Sequence, residues 1–161
     1  MDIQKEDKAK YETIDAPLEF LNFLNTKNGV LCVPEPKFRE YTGSVLKPDT
    51  FSFAKWFKKN HPEITIDVGN ASAKVGLRSN DFWLPLVYLA NDVSLQIYLN
   101  IVANYIYDMA RGALRHDKKS VHLSVIHKSE SGDIKEFLYD GSLEGLKNTI
   151  KKIDINKLMD K

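Results

Sequence analysis

The chain has 161 residues, 23 lysines and arginines against 22 aspartates and glutamates, 43% hydrophobic residues and one cysteine. That length suits one domain, or a domain with an N-terminal extension, and supports a core that needs no staples. The formal net charge of +1 excludes polyanion binding through bulk charge, because phosphate affinity grows with the number of neutralising cations.

The lone Cys32 allows no intrachain disulfide, and the charged opening MDIQKEDKAKYE lacks the apolar run of a signal peptide. A soluble cytoplasmic protein is expected. Residues 1 to 13 are polar and aperiodic, which predicts a frayed tail or an exposed first turn. After Asp15, a suitable cap, Pro17 fits a first helical turn, and Leu18, Phe20, Leu21 and Leu24 recur at helical spacing until Asn28-Gly29. Val30 to Val33 reads as a short strand closed by Pro34 and Pro36. Glu35 to Pro48 reads as a long loop and is the best boundary candidate.

Asp49 or Thr50 can cap a second short helix, with Phe53, Trp56 and Phe57 at i, i+3 and i+4, ending at Asn60 to Pro62. Ile64, Ile66 and Val68 alternate with polar residues, as do Ala71, Ala73, Val75 and Leu77, and Gly69-Asn70 between them predicts a β-hairpin. The apolar stretch from Phe82 to Ala110 is no convincing membrane span. Pro85 interrupts it, and Asn91, Asp92, Gln96, Asn100, Asn104 and Asp108 lie within it. It reads as two helices, 82 to 90 and 93 to 113, with Asp92 capping the second.

In that second helix Gln96, Asn100, Asn104 and Asp108 recur every four residues and Arg111 follows, opposite an apolar side of Leu95, Tyr98, Leu99, Val102, Tyr105, Ile106 and Met109. A charged loop leads to a strand over Val121 to Ile126, a hairpin loop at Ser129 to Asp133, and a returning strand, Ile134 to Tyr139. Asp140-Gly141-Ser142 then starts a final helix with Leu143, Leu146, Ile150 and Ile153 on one stripe. The expected fold class is α+β: an antiparallel sheet of two hairpins, ββαββα-like, packed on a long buried helix. The expected organisation is a 1–62 helix–strand–loop–helix segment followed by a 63–161 domain.

Catalytic signatures are absent: there is no GxGxxG, P-loop, GxSxG, HExxH or CxxC. His116, His122 and His127 cluster in sequence, but positions 122 and 127 point to opposite faces of a strand, so no metal site is expected there. Trp56 beside lysines could stack on a base, although aromatics at helical spacing usually belong to a core. Cys32, in an apolar run, reads as an inert small hydrophobe. Asp49 and Glu63 lack the Glu-x-Lys that a restriction-type nuclease would need.

Arg111, Arg115, Lys118, Lys119, His122 and Lys128 form the candidate anion contact, although cations also accumulate at a helix C-terminus for dipole reasons alone. The polar arc of the long helix is more informative. A solvated arc usually carries lysine and glutamate, whereas this one is amide-rich and flanked by Ile97 and Tyr107, which suits a protein interface. Gln96, Asn100, Asn104, Tyr107 and Asp108 are therefore the candidate interaction residues.

The stretch DFWLPLVYLANDVSLQIYLNIVANYIYDMARG, followed by VHLSVI and then IKEFLYDGSLEGLKNTIKKI, resembles small bacterial proteins of the effector-associated constant component type, found in conflict and antiviral systems. The resemblance spans about residues 63 to 155 and rests on pattern rather than on a sharp motif. It implies an adaptor-like accessory subunit and carries over no catalytic residue. The leading expectation is a non-enzymatic interaction protein without cofactor or metal, bound to a protein encoded nearby or to itself, with no role at membranes or nucleic acid. The alternative is a small enzyme, or a nucleotide- or nucleic-acid-sensing module, built on the 111–128 region with His122 as its acid–base group.

Overall fold

A computed structural model describes residues 8–14, 28–33, 45–69, 73–74, 81–90, 92–110, 120–129 and 131–159. The elements in chain order are β1 (Lys8–Ile14), β2 (Val30–Val33), β3 (Val45–Leu46), α1 (Thr50–Asn60), β4 (Ile66–Val68), β5 (Ala73–Lys74), β6 (Phe82–Leu89), α2 (Leu95–Ala110), β7 (Ser120–Lys128), β8 (Ile134–Ser142) and α3 (Leu143–Met159). The fold is α+β, with a six-stranded sheet in the order β1-β8-β7-β6-β2-β4 and a separate β3-β5 pair.

The β7–β8 hairpin forms where the sequence places it. Ser129 N–H donates to the Asp133 carbonyl at 2.8 Å, and Gly132 takes a φ of 91° in the turn. Beyond this hairpin the sheet is mixed rather than antiparallel. β1 and β2 pair antiparallel with β8 and β6, whereas β6 runs parallel to β7, and β4 parallel to β2.

Three expectations are corrected by this topology. The helix expected over 82 to 90 is instead a strand, Phe82–Leu89. β6 lies in the middle of the sheet and buries Leu84, Val87 and Leu89 on one face and Leu86 and Tyr88 on the other. A strand buried on both faces loses its alternation and cannot be told from a buried helix by period. Pro85 fits because the β6–β7 register shifts between Trp83 and Leu86, so the residue without an N–H sits at an irregularity.

The hairpin expected around Gly69-Asn70 does not form. Gly69 N–H donates to the Cys32 carbonyl at 2.9 Å, carrying the chain onward beside β2, and β5 pairs with β3. Finally, residues 8 to 14, expected to fray, pair along their whole length with β8. Lys8 to Thr13 are exposed, so this edge strand has no buried face to impose a period. The helix expected after Asp15 lies outside the described residues, as does most of the Glu35 to Pro48 loop.

Of the four helices expected from Thr50 onward, three are present as α1, α2 and α3, but their caps differ from expectation. Asp49 makes no side-chain cap; its Oδ2 accepts the Trp83 N–H at 2.6 Å, and its own N–H donates to the Trp83 carbonyl, which fastens the start of α1 to β6. Asp92 accepts the Gly29 N–H at 2.8 Å, and Ser94 Oγ serves α2 instead by accepting the Ile97 N–H at 3.1 Å. Ser142 Oγ does the same for α3, accepting from Gly145 N–H.

The main core lies between the helices and one sheet face, and joins Phe53 and Phe57 of α1, Tyr98, Val102 and Tyr105 of α2 and Leu146 of α3 to Cys32, Val87 and Val125. Phe53 is its hub. Its ring meets Phe57, Tyr98 and Tyr105 edge-on at 5.7, 6.0 and 5.1 Å, the arrangement that aromatic quadrupoles favour. Val33, Leu86, Tyr88, Ile126 and Ile134 form a smaller buried cluster on the opposite face. Among the described residues no helix is long and apolar enough to cross a membrane.

Candidate functional site

α2 is buried on one side only. Tyr98, Leu99, Val102, Tyr105 and Ile106 are buried, while Ile97, Asn100, Asn104 and Tyr107 are exposed. At about 100° per residue these four exposed side chains fall within roughly 80° of the helix circumference and span about 15 Å along its axis. Gln96, half-buried, borders the stripe. The Lys147 ammonium of α3 stands 5.9 Å from the Tyr107 ring, covering one side of it. Ile97 and Tyr107, at 48% and 58% exposure, are among the most exposed large hydrophobic residues described.

Asp108 belongs to a different arrangement. Its Oδ2 accepts the Trp56 indole N–H at 2.9 Å, tying α2 to α1, so this carboxylate is engaged within the molecule. The same bond, with Tyr105 edge-on to the indole at 5.5 Å, fixes Trp56 as a packing residue rather than a stacking platform for bases.

Of the anion-contact group only His122 and Lys128 are described, and these two do not meet. His122 and Lys128 both lie on β7, six residues apart, which separates them by about 20 Å on an extended strand. Arg111, Arg115, Lys118 and Lys119 lie outside the described residues, as does His116. His122 is enclosed by acid. Its Nδ1 lies 2.5 Å from Asp140 Oδ1, its Nε2 lies 3.1 Å from Asp81 Oδ2, and its ring stacks on Trp83 at 3.9 Å between centroids. An anion brought to this ring would face two carboxylates, which weighs against His122 as an anion contact. Asp81 Oδ1 also accepts the Ser120 N–H at 3.2 Å, so the group binds the start of β6 to the start of β7 and the end of β8.

Each ring nitrogen of His122 faces one carboxylate. Both nitrogens are used in holding strands together, and neither is presented to a substrate. His127 lies on the other face, where its Nε2 is 2.9 Å from the Tyr11 hydroxyl. Among the described residues no group of three or more histidine, cysteine, aspartate or glutamate side chains could hold a metal ion.

Cys32 is fully buried in the main core. Burial pushes its thiol up to about 12, with the Asp67 charge adding to the shift and Lys58 opposing it. At pH 8 the thiolate fraction is then about one in ten thousand, and native protein will leave a disulfide reagent such as DTNB unreacted until denaturant is added. Prompt labelling of the native chain would contradict this placement. Because the folded thiol titrates above the unfolded one, this group favours folding at neutral pH and ceases to do so as pH rises from about 9 toward 12.

Set beside protein-family models, curated proteins and solved structures, the chain matches none of them.

Proposed function

We propose that the protein is a non-enzymatic interaction module that docks a protein partner on the outer stripe of α2, as an accessory subunit of a bacterial antiviral or conflict system would. The observation that carries this reading is the grouping of Ile97, Asn100, Asn104 and Tyr107 on one exposed stripe of a helix whose Tyr98, Leu99, Val102, Tyr105 and Ile106 are buried. A partner that covers the exposed isoleucine and the open side of the tyrosine ring would gain by removing apolar surface from water, and the amides between them satisfy either donors or acceptors. The place in a conflict system rests on the pattern resemblance over residues 63 to 155.

The rival reading, an acid–base site on His122, draws support from the Asp81 and Asp140 carboxylates at its ring. Against it stands the engagement of both ring nitrogens, since a general acid or base needs one nitrogen within reach of the substrate.

The test is affinity capture from the native host with the full chain as bait, identification of the retained protein by mass spectrometry, and titration calorimetry with that protein purified. The double variant Asn100→Lys with Asn104→Glu should keep the wild-type circular dichroism and melting temperature and bind the partner at least tenfold more weakly. Equal affinity of variant and wild type would overturn the assignment of the stripe, and failure to retain any protein would overturn the adaptor reading.

A further inference from the structure

β1 is the terminal strand of the sheet, paired with β8 on one side and with no strand on the other among the described residues. Its seven residues, Lys-Ala-Lys-Tyr-Glu-Thr-Ile, are exposed from Lys8 to Thr13. An open edge of this length presents a row of backbone donors and acceptors that another strand can complete. Charged side chains on an edge normally discourage such pairing. Here their order makes the strand complementary to itself.

In an antiparallel pairing of two copies centred on Tyr11, Lys10 of each copy lies opposite Glu12 of the other, and Tyr11 lies opposite Tyr11. Ala9 then meets Thr13, and Lys8 meets Ile14. A slip of two residues in one direction puts Lys10 opposite Lys10, and in the other direction Glu12 opposite Glu12. The charges therefore select one register, because like charges directly opposite each other destabilise a strand pair and unlike charges stabilise it.

A second observation points the same way. Within one chain Glu12 lies directly opposite Glu136 on β8. Burial, and then the neighbouring Glu12 charge, raise the Glu136 carboxyl above the usual range, against a smaller opposing effect of Lys10. Lys10 reaches Glu12 along the strand at 3.2 Å, but among the described residues no strand places a cation opposite Glu12 on its open side. Lys10 of a second copy would do so, and each copy would relieve the acidic row of the other. Tyr11, packed against His127 and Phe137 with the Lys135 ammonium 6.0 Å from its ring, is still 50% exposed and would lie opposite the same ring of the second copy.

We infer that the protein forms a two-fold symmetric dimer in which the β1 edges of two copies pair antiparallel about Tyr11, joining the two six-stranded sheets into one. The axis stands perpendicular to the sheet, so the helices of both copies lie on the same face and both α2 stripes remain outside the contact. The dimer is independent of the partner surface on α2.

Sedimentation equilibrium of the full chain tests this inference. The wild type should be a dimer at concentrations of about 50 µM, and Lys10→Glu and Glu12→Lys should each weaken association at least tenfold, because each places like charges opposite one another twice. Both positions are exposed, and circular dichroism should be unchanged. An equimolar mixture of the two single variants should recover a heterodimer, since the strand left with acid at both positions then faces the strand left with base at both. The doubly exchanged Lys10→Glu with Glu12→Lys chain should recover the homodimer. A wild type that stays monomeric at several hundred micromolar, or a dimer mass indifferent to both single variants, would overturn the inference, as would failure of the mixture to associate.

Discussion

Replacing Phe53 with alanine will lower the unfolding free energy by about 3–5 kcal/mol, the cost of emptying a fully buried aromatic site. Phe53 has no exposed surface and is the one ring of α1 that meets both Tyr98 and Tyr105 of α2 edge-on. The loss therefore has two parts: the transfer of the ring's apolar surface, and the edge-to-face contacts, each worth about 0.5–1.5 kcal/mol beyond area. Collapse around the hole is opposed on every side. Phe57 is fully buried beside it, Trp56 is held by the bond to Asp108, and Tyr105 is buried with its ring packed against Trp56 and Phe82. A domain of this size has about 5–15 kcal/mol of stability in all, so the variant should lose roughly a fifth of it or more. Urea titration followed by tryptophan fluorescence measures the change, and a loss under about 1 kcal/mol would show that the cluster does not hold α1 to α2.

Gly29→Ala should cost on the order of 3 kcal/mol or more, and here the cause is backbone rather than core. Gly29 has a φ of 85°, in the left-handed region, and a Cβ placed there would stand 2.2 Å from the Thr65 carbonyl oxygen. That carbonyl cannot withdraw without loss, because it accepts the Val30 N–H at 2.8 Å where β2 begins to pair with β4. Gly29 also donates to Asp92 and accepts from Ala90 N–H, so the residue joins the starts of β2 and α2 to the end of β6. Gly132→Ala supplies the control. Its φ is 91°, yet nothing lies within 4 Å of the added carbon, so it should cost only the conformational term of about 1–2 kcal/mol. If the two variants prove equally stable by the same titration, the close approach at Thr65 is not what makes Gly29 necessary.

The two substitutions differ in how visible their sites are in the sequence. Phe53, Trp56 and Phe57 at helical spacing predict both the helix and its buried side. Asn28-Gly29 marks a stop, but nothing local reveals that Thr65 closes over it. The same division holds at the surface. The α2 stripe is legible because amides at four-residue spacing between Ile97 and Tyr107 belong to one helix. The carboxylates around His122 are not legible, since Asp140 and Asp81 are 18 and 41 residues away and meet the ring only through strand register. The acidic clasp makes His122 part of a junction of three strands.

The sequence by itself determined the elements whose signal is local: α1, α2 and α3 by apolar period, β2 by its short apolar run, and the β7–β8 hairpin by alternation around Gly132. Only the tertiary structure decided that 82–89 is a strand, because burial on both faces erases the period that separates strand from helix. It alone decided that β4 joins β2 instead of folding back, because alternation specifies a strand's faces but not its neighbour. It alone placed β1 in the sheet, because an exposed edge strand owes its existence to backbone bonds with β8 and leaves no hydrophobic trace in its residues.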